Sequence, residues 1–224
     1  MRIVQLLDAD PELAQGLPEK ELSLAARALP APVINLPEGP WDAPSTRHDH
    51  GDIGLLVTGG LLVRRLRVAR GSSVELLGHG ELLRPWQEDT SSFCASSWEV
   101  LEETTLLLLT ARIAEGLVRW PILVSNLFGR AIRRSRALAA DTAVSSIIGV
   151  EDRLLLLLWQ LAETWGRTGG EGIVLEISVP HRILAEMLGA RRPSVTAALG
   201  RLEEGGHLTR TTDGSWVLRG DPPC

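Results

Sequence analysis

The sequence predicts an α+β chain in two parts: a small β-barrel or sandwich framed by helices, then a compact helical module closed by a β-hairpin. Three observations carry this. Short β-prone runs separated by glycines fill residues 52–110. From Ala111 onward apolar residues recur at helical spacing. Near the end, Asp213-Gly214 stands between two β-prone runs, the sequence pattern of a tight hairpin.

The elements follow in order. Leu13, Leu17, Leu22 and Leu24 form a partial apolar stripe through residues 1–28, which predicts one or two short helices, with Pro18 opening the second. Pro30, Pro32, Pro37, Pro40 and Pro44 then break up the chain, and the β signal starts at Asp52. Residues 53–57, 61–68, 73–77 and 106–110 are the strand candidates, punctuated by Gly59-Gly60, Gly71 and Gly78-His79-Gly80. A short helix to Trp120 and a long helix over 121–146 come next. One face of the long helix carries Arg130, Arg133, Arg134 and Arg136 and is expected to be solvated. The other, with Ile122, Leu123, Leu127, Ala131 and Leu138, suits either a second copy of itself or the chain's own barrel. After Gly149, residues 152–165 predict another apolar helix and 166–172 a loop. The implied domains are 1–120, a barrel or sandwich with flanking helices; 121–148, a long helix suited to dimerisation; and 149–224, a compact C-terminal module.

Composition narrows the function classes. The 224 residues carry a net charge of −5, which argues mildly against nucleic acid, yet binding depends on where charge sits rather than on its sum. Lys20 is the sole lysine among 23 basic residues, so the cations are arginines, suited to bidentate phosphate and guanine contacts. Cys94 and Cys224 cannot build a disulfide scaffold and fall short of an iron–sulfur ligand set, so a cytoplasmic protein is expected. Neither a secretory signal nor a membrane-spanning run is visible. Gly169-Gly170-Glu171-Gly172 lacks the Lys and Ser/Thr of a phosphate-binding loop.

The informative stretch is residues 181–200, His-Arg-Ile-Leu-Ala-Glu-Met-Leu-Gly-Ala-Arg-Arg-Pro-Ser-Val-Thr-Ala-Ala-Leu-Gly. Two helices crossing at a tight turn need a small residue at the crossing, a residue tolerating positive φ at the turn, and an apolar anchor on the second helix. Ala185, Gly189 and Val195 supply them. Leu184, Leu188, Ala198 and Leu202 complete the shared core. Pro193 is admissible only in a first turn and so fixes where the second helix begins. That start exposes Arg191, Arg192, Ser194 and Thr196 to a major groove. Residues 208–212 and 215–218 flank Asp213-Gly214 as a wing, with Thr211 and Thr212 near its tip.

With these residues in view, the whole chain resembles the Crp/Fnr family of bacterial transcription regulators. The resemblance is sharpest from Asp152 to Gly220, in the Leu184–Gly189 and Ser194–Thr196 segments. It implies a cyclic-nucleotide-binding-like β-barrel of the jelly-roll kind, a long dimerisation helix and a C-terminal winged helix-turn-helix, acting as a homodimer on a palindromic operator in double-stranded DNA. RNA polymerase is a further implied partner. By resemblance Arg192 is the base-reading arginine, while His181, Arg191, Ser194 and Thr212 fall at phosphate-touching positions. Pro193 and Ala197 replace residues that often read bases, so an altered operator is expected.

The barrel departs from the family pattern. Gly80-Glu81-Leu82 looks like the start of a cyclic-nucleotide phosphate cassette. Ser96-Ser97-Trp98 stands where an Arg-Ser pair should, and Arg84 lies beside Pro85 without matching spacing. A phosphate enclosed without a charge partner is costly. Cyclic AMP is therefore not expected, and an unknown small-molecule effector, if any, is assigned to Gly80, Glu81, Arg84, Trp86, Ser96 and Ser97. Trp86, Phe93 and Trp98 line that pocket or fill the barrel core. No cofactor and no enzymatic activity are expected. Two alternatives remain: a metal-dependent cupin-like enzyme using His48 and His50, and a scaffold whose barrel binds a protein partner.

Overall fold

The structure, a computed structural model, describes residues 2–46, 48–69, 71–87, 94–211 and 214–223, the side chain of Pro44 excepted. The chain forms two compact units, residues 1–134 and 135–224, dividing inside the long helix.

The N-terminal unit is built on two long antiparallel strands, β4 (Gly54–Val68) and β7 (Cys94–Leu109). β1 (Ile3–Gln5), β2 (Pro30–Leu36) and β3 (Gly39–Trp41) extend the sheet from β7. β5 (Gly71–Leu77) and β6 (Leu82–Leu83) flank β4. The strands enclose a core of Leu36, Leu55, Val57, Leu62, Leu77, Leu83, Trp98, Val100 and Leu106. A second core lies under the N-terminal helices α1 (Leu6–Ala9) and α2 (Glu19–Ala28). It continues below α3 (Ala111–Leu117) and the start of α4 (Pro121–Ser145), where Leu6, Leu13, Leu29, Ile113, Leu117, Trp120, Leu123 and Leu127 are buried.

Three expectations need correction here. The proline-rich segment is strand rather than break. Pro30 and Pro32 fall where β2 pairs only with the three-residue β1, and proline-free Val33–Leu36 makes the β7 ladder, so no central hydrogen bond is lost. Gly59-Gly60 does not separate two strands either. It lies within β4 as a register shift, where Gly60 has φ +82° and an added Cβ would lie 2.3 Å from the Glu103 carbonyl oxygen. Finally, the arginines of α4 are not uniformly solvated. Arg130 forms a bidentate ion pair with Asp10, which is completely buried. Arg134 donates from Nε and Nη2 to the Glu75 carboxylate, at 2.6 and 2.9 Å, and from Nη1 to the Leu82 carbonyl. Arg133 and Arg136 are exposed as expected.

Leu123 and Leu127 belong to the second core, together with Leu56, Leu107 and Leu109 of the sheet. The large apolar residues α4 leaves uncovered are Val124, Phe128, Ile132 and Leu138.

The C-terminal unit packs α5 (Val150–Trp165), α6 (His181–Met187) and α7 (Arg192–Glu204) against a four-stranded antiparallel sheet. The sheet order is β10 (Leu208–Arg210), β11 (Trp216–Leu218), β9 (Gly172–Leu175), β8 (Gly166–Gly169). Leu154, Leu157, Leu158, Leu161, Leu175 and Trp216 contribute to its buried interior. Half of the expected 166–172 loop is thus the strand β8, turning at Gly170-Glu171 into β9. Within this unit the Gln160 amide donates to the Ala137 carbonyl and the Asp141 carboxylate, tying α5 to the end of α4. Among the described residues no helix is long and apolar enough to cross a membrane.

Candidate nucleic-acid interface

The helix pair forms for the local reasons the sequence suggests. Gly189 takes φ +58°, and nothing lies within 4 Å of where its Cβ would be, so conformation rather than space calls for glycine. The Ala190 amide closes the turn onto the Ala185 carbonyl at 2.9 Å. Pro193 lies in the first turn of α7. Ile183, Leu184, Ala185 and Leu188 of the first helix and its turn are buried, as are Val195, Ala198, Leu199 and Leu202 of the second.

That burial sets what α7 can present. Arg191, Arg192, Ser194 and Thr196 are all exposed at its start, and Ala197 is exposed beside them. His181, at the start of α6, is half-buried, and its Nδ1 lies 3.0 Å from the Thr196 hydroxyl, joining the two helix starts. Burial lowers the His181 pKa, and the positive charges of Arg210 and Arg192 add to the effect. The imidazole is therefore biased toward neutral in a locally electropositive region.

The wing is present as β10 and β11, paired Leu208–Leu218, Thr209–Val217 and Arg210–Trp216. Thr211 is half-buried; its backbone amide and its hydroxyl both donate to the Ser215 carbonyl at 2.9 Å, so it shapes the turn. Thr212 and Asp213 lie outside the described residues, and so do Phe93 and Cys224. Sequence reasoning missed Arg210. It is exposed on β10, with its guanidinium over the Trp216 ring at 5.3 Å from the centroid. Strand alternation hides it, because Arg210 falls on the same face as the buried Leu208 two residues before it.

The residues assigned to an effector pocket are not gathered into one place. Gly80, with φ +87°, lies under the Arg130 guanidinium, 3.4 Å from where its Cβ would be. The neighbouring Glu81 carboxylate is 3.7 Å from Arg134 Nε. Burial raises the Glu81 pKa, partly offset by Arg134. This corner of the barrel is thus filled by α4 arginines. Arg84 is exposed and donates to the Asp52 carbonyl at 3.3 Å. Trp86 is half-buried, its ring stacked on His48 with centroids 4.4 Å apart. Ser96 and Ser97 pair with Leu66 and Arg65, toward the far end of β4 from Glu81, whose carbonyl accepts from Val57.

His48 and His50 are exposed. Asp52, between them and the barrel, is structural: its carboxylate accepts from the Ala111 amide at the start of α3 and from the Asp49 amide. Among the described residues, the acids and histidines close enough to share an ion are Asp10, Glu12 and His79, and Arg130 already engages Asp10.

Residues 152–219 match the Crp-like helix-turn-helix domain family. No curated protein matches the chain in sequence. Among solved structures, the chain is similar to a cyclic nucleotide-binding domain containing protein from Listeria monocytogenes EGD-e. The TM-score is 0.67 at 14% identity, over 89% of this chain and 94% of that one. It is similar to a CooA variant from Carboxydothermus hydrogenoformans, with TM-score 0.57 at 19% identity over 85% and 84% of the two chains. The c-di-GMP responsive global regulator CLP from Xanthomonas campestris gives TM-score 0.55 at 16% identity, over 85% and 95%. These likenesses show a common fold. Residues 152–219 thus form a Crp-like helix-turn-helix domain, and the chain as a whole shares the fold of these structures.

Proposed function

We propose that this chain is a transcription regulator that binds a two-fold symmetric operator in double-stranded DNA as a homodimer. The observation that carries the reading is the division of α7: Val195, Ala198, Leu199 and Leu202 are buried, while Arg191, Arg192, Ser194 and Thr196 stand exposed at its start. α7 lies within the residues that match the Crp-like helix-turn-helix domain, and the second helix of such a pair is the one that enters the major groove. Arg192 reads a base edge. His181, Arg191 and Ser194 hold phosphates, together with Thr212 of the wing. Thr196 positions His181, and Thr211 ties the end of β10 to Ser215. Arg210 adds positive charge on the same side.

The homodimer uses the uncovered stripe Val124, Phe128, Ile132 and Leu138, whose spacing of four and six residues keeps it on one side of α4. A signal in the barrel acts by shifting α4, and any ligand must bind the two arrangements differently to do so. Cyclic AMP is not that ligand in this reading, since Arg130 and Arg134 fill the corner beside Gly80 and Glu81. RNA polymerase is the further partner, and the cytoplasm the site of action. No observation favours the cupin-like enzyme, because His48 is stacked on Trp86 and Asp52 is committed to α3.

The test uses the full chain. Its native mass should be that of a dimer, and its affinity for mixed-sequence duplex should fall steeply and log-linearly with salt. A protein that is folded by circular dichroism yet binds no duplex at low salt overturns the reading.

A further inference from the structure

The buried residues of α7, Val195, Ala198, Leu199 and Leu202, mark the side of the helix turned to the core. At about 3.6 residues per turn, the line on the opposite side runs through Pro193, Ala197, Gly200 and Glu204. Pro193, Ala197 and Glu204 are exposed, and Gly200 is half-buried. Pro193, Ala197 and Gly200 carry no polar side-chain atom, so the outermost line of the helix is apolar from its first turn almost to its end.

Polar groups beside this line are already engaged within the chain. The Thr196 hydroxyl lies 3.0 Å from His181 Nδ1, and Arg201 Nε donates to the Glu151 carboxylate of α5 at 2.5 Å. Gly200 is the more telling residue. Its φ is not positive, and nothing lies within 4 Å of where its Cβ would be. Neither backbone conformation nor packing inside the chain therefore calls for glycine. Glycine inside a helix is less stable than alanine, so the fold bears a cost here that its own contacts do not explain. Close approach of another molecule to this side of α7 does explain it.

We propose that α7 reads thymine methyl groups: Pro193 and Ala197 meet the C5-methyls of thymines beside the base read by Arg192, and Gly200 lets the helix lie close against the groove. This rests on the reading of α7 as the helix that enters the major groove. Of the four bases, thymine alone presents an apolar group on its major-groove edge. A guanine or cytosine under this line loses its hydrogen bonds to water and gains none from the protein, which disfavours it. The pyrrolidine ring and the alanine Cβ instead offer apolar contact, and one methyl withdrawn from water is worth about fourfold in affinity. The operator half-site thus combines a base bonded by Arg192 with neighbouring thymines recognised by their methyls.

The experiment is fluorescence anisotropy of the full chain on an operator selected from random duplex. Each thymine is replaced in turn, in both half-sites, by deoxyuridine, which removes the methyl and leaves the hydrogen-bonding edge unchanged. At one or two positions the paired replacement should weaken binding by about 15-fold, or about fourfold per methyl. Ala197→Gly, checked for fold by circular dichroism, should bind the thymine operator more weakly and become insensitive to deoxyuridine at one of those positions. Gly200→Ala should raise the melting temperature of the free chain yet weaken operator binding by about fivefold or more, a combination that misfolding does not produce. Three results overturn the proposal and leave the regulator reading standing: half-sites selected without thymine, binding indifferent to deoxyuridine at every position in the unsubstituted protein, or full deoxyuridine sensitivity retained in Ala197→Gly. Failure to bind any duplex overturns the regulator reading itself, and this proposal with it.

Discussion

Replacing Arg192 by alanine isolates base reading from every other contribution. Arg192 is the first residue of α7, exposed, and among the described residues it forms no ion pair. Alanine is a better helix former than arginine by a small margin, so the folded state loses nothing. The whole effect therefore falls on DNA. Loss of a bidentate arginine–guanine contact costs about 1–3 kcal/mol, which is about a 5- to 150-fold weaker specific complex. The assay is fluorescence anisotropy on a selected operator and on scrambled duplex, each across a range of salt. Arg192→Ala should weaken operator binding by that factor and relax specificity at one position per half-site, with little change on scrambled DNA. Arg191→Ala should instead weaken both and lower the salt slope by about one. Equal losses on both duplexes for Arg192→Ala, or no loss on the operator, would refute the register assigned to α7.

Further outcomes follow from other parts of the molecule. His181 has its pKa lowered in the free protein by burial and by Arg210 and Arg192, and a DNA phosphate favours the protonated form. Binding therefore takes up a proton, so affinity should rise as pH falls from about 8 to about 6 and flatten in His181→Gln; an unchanged pH dependence in that variant removes His181 from the interface. Arg130→Met strands the completely buried Asp10 carboxylate, a loss of about 3–5 kcal/mol in urea unfolding of the N-terminal unit; a change under about 1 kcal/mol would mean that the pair is no more than a surface bridge. Phe128, 67% exposed on α4, should give a monomer by native mass when changed to glutamate, with the circular dichroism spectrum unaltered; a persistent dimer places the interface elsewhere.

The C-terminal unit was legible because its signals are local. Gly189, Pro193 and the alternating runs of the wing each act within a few residues of themselves, and the structure places a turn, a helix start and a hairpin at those points. The barrel was harder. β2 was hidden because proline content reads as a break, and only the pairing with β1 and β7 shows which backbone amides the sheet can spare. The strand β8 was hidden by glycine, which carries no pattern. Arg130 and Arg134 looked like a solvated face because their partners, Asp10 and Glu75, come from remote parts of the sequence. The same long-range packing disperses Gly80, Glu81, Ser96 and Ser97, which short-range spacing had grouped.

The most direct test of the central claim is selection of binding sites from a random duplex pool with the purified full-length chain. The account predicts enrichment of a two-fold symmetric sequence whose half-sites lie about 34–36 Å apart on one face of the duplex, lost in Arg192→Ala. An asymmetric site, or no enrichment from a protein that is folded and active in the salt-dependent assay, would contradict it.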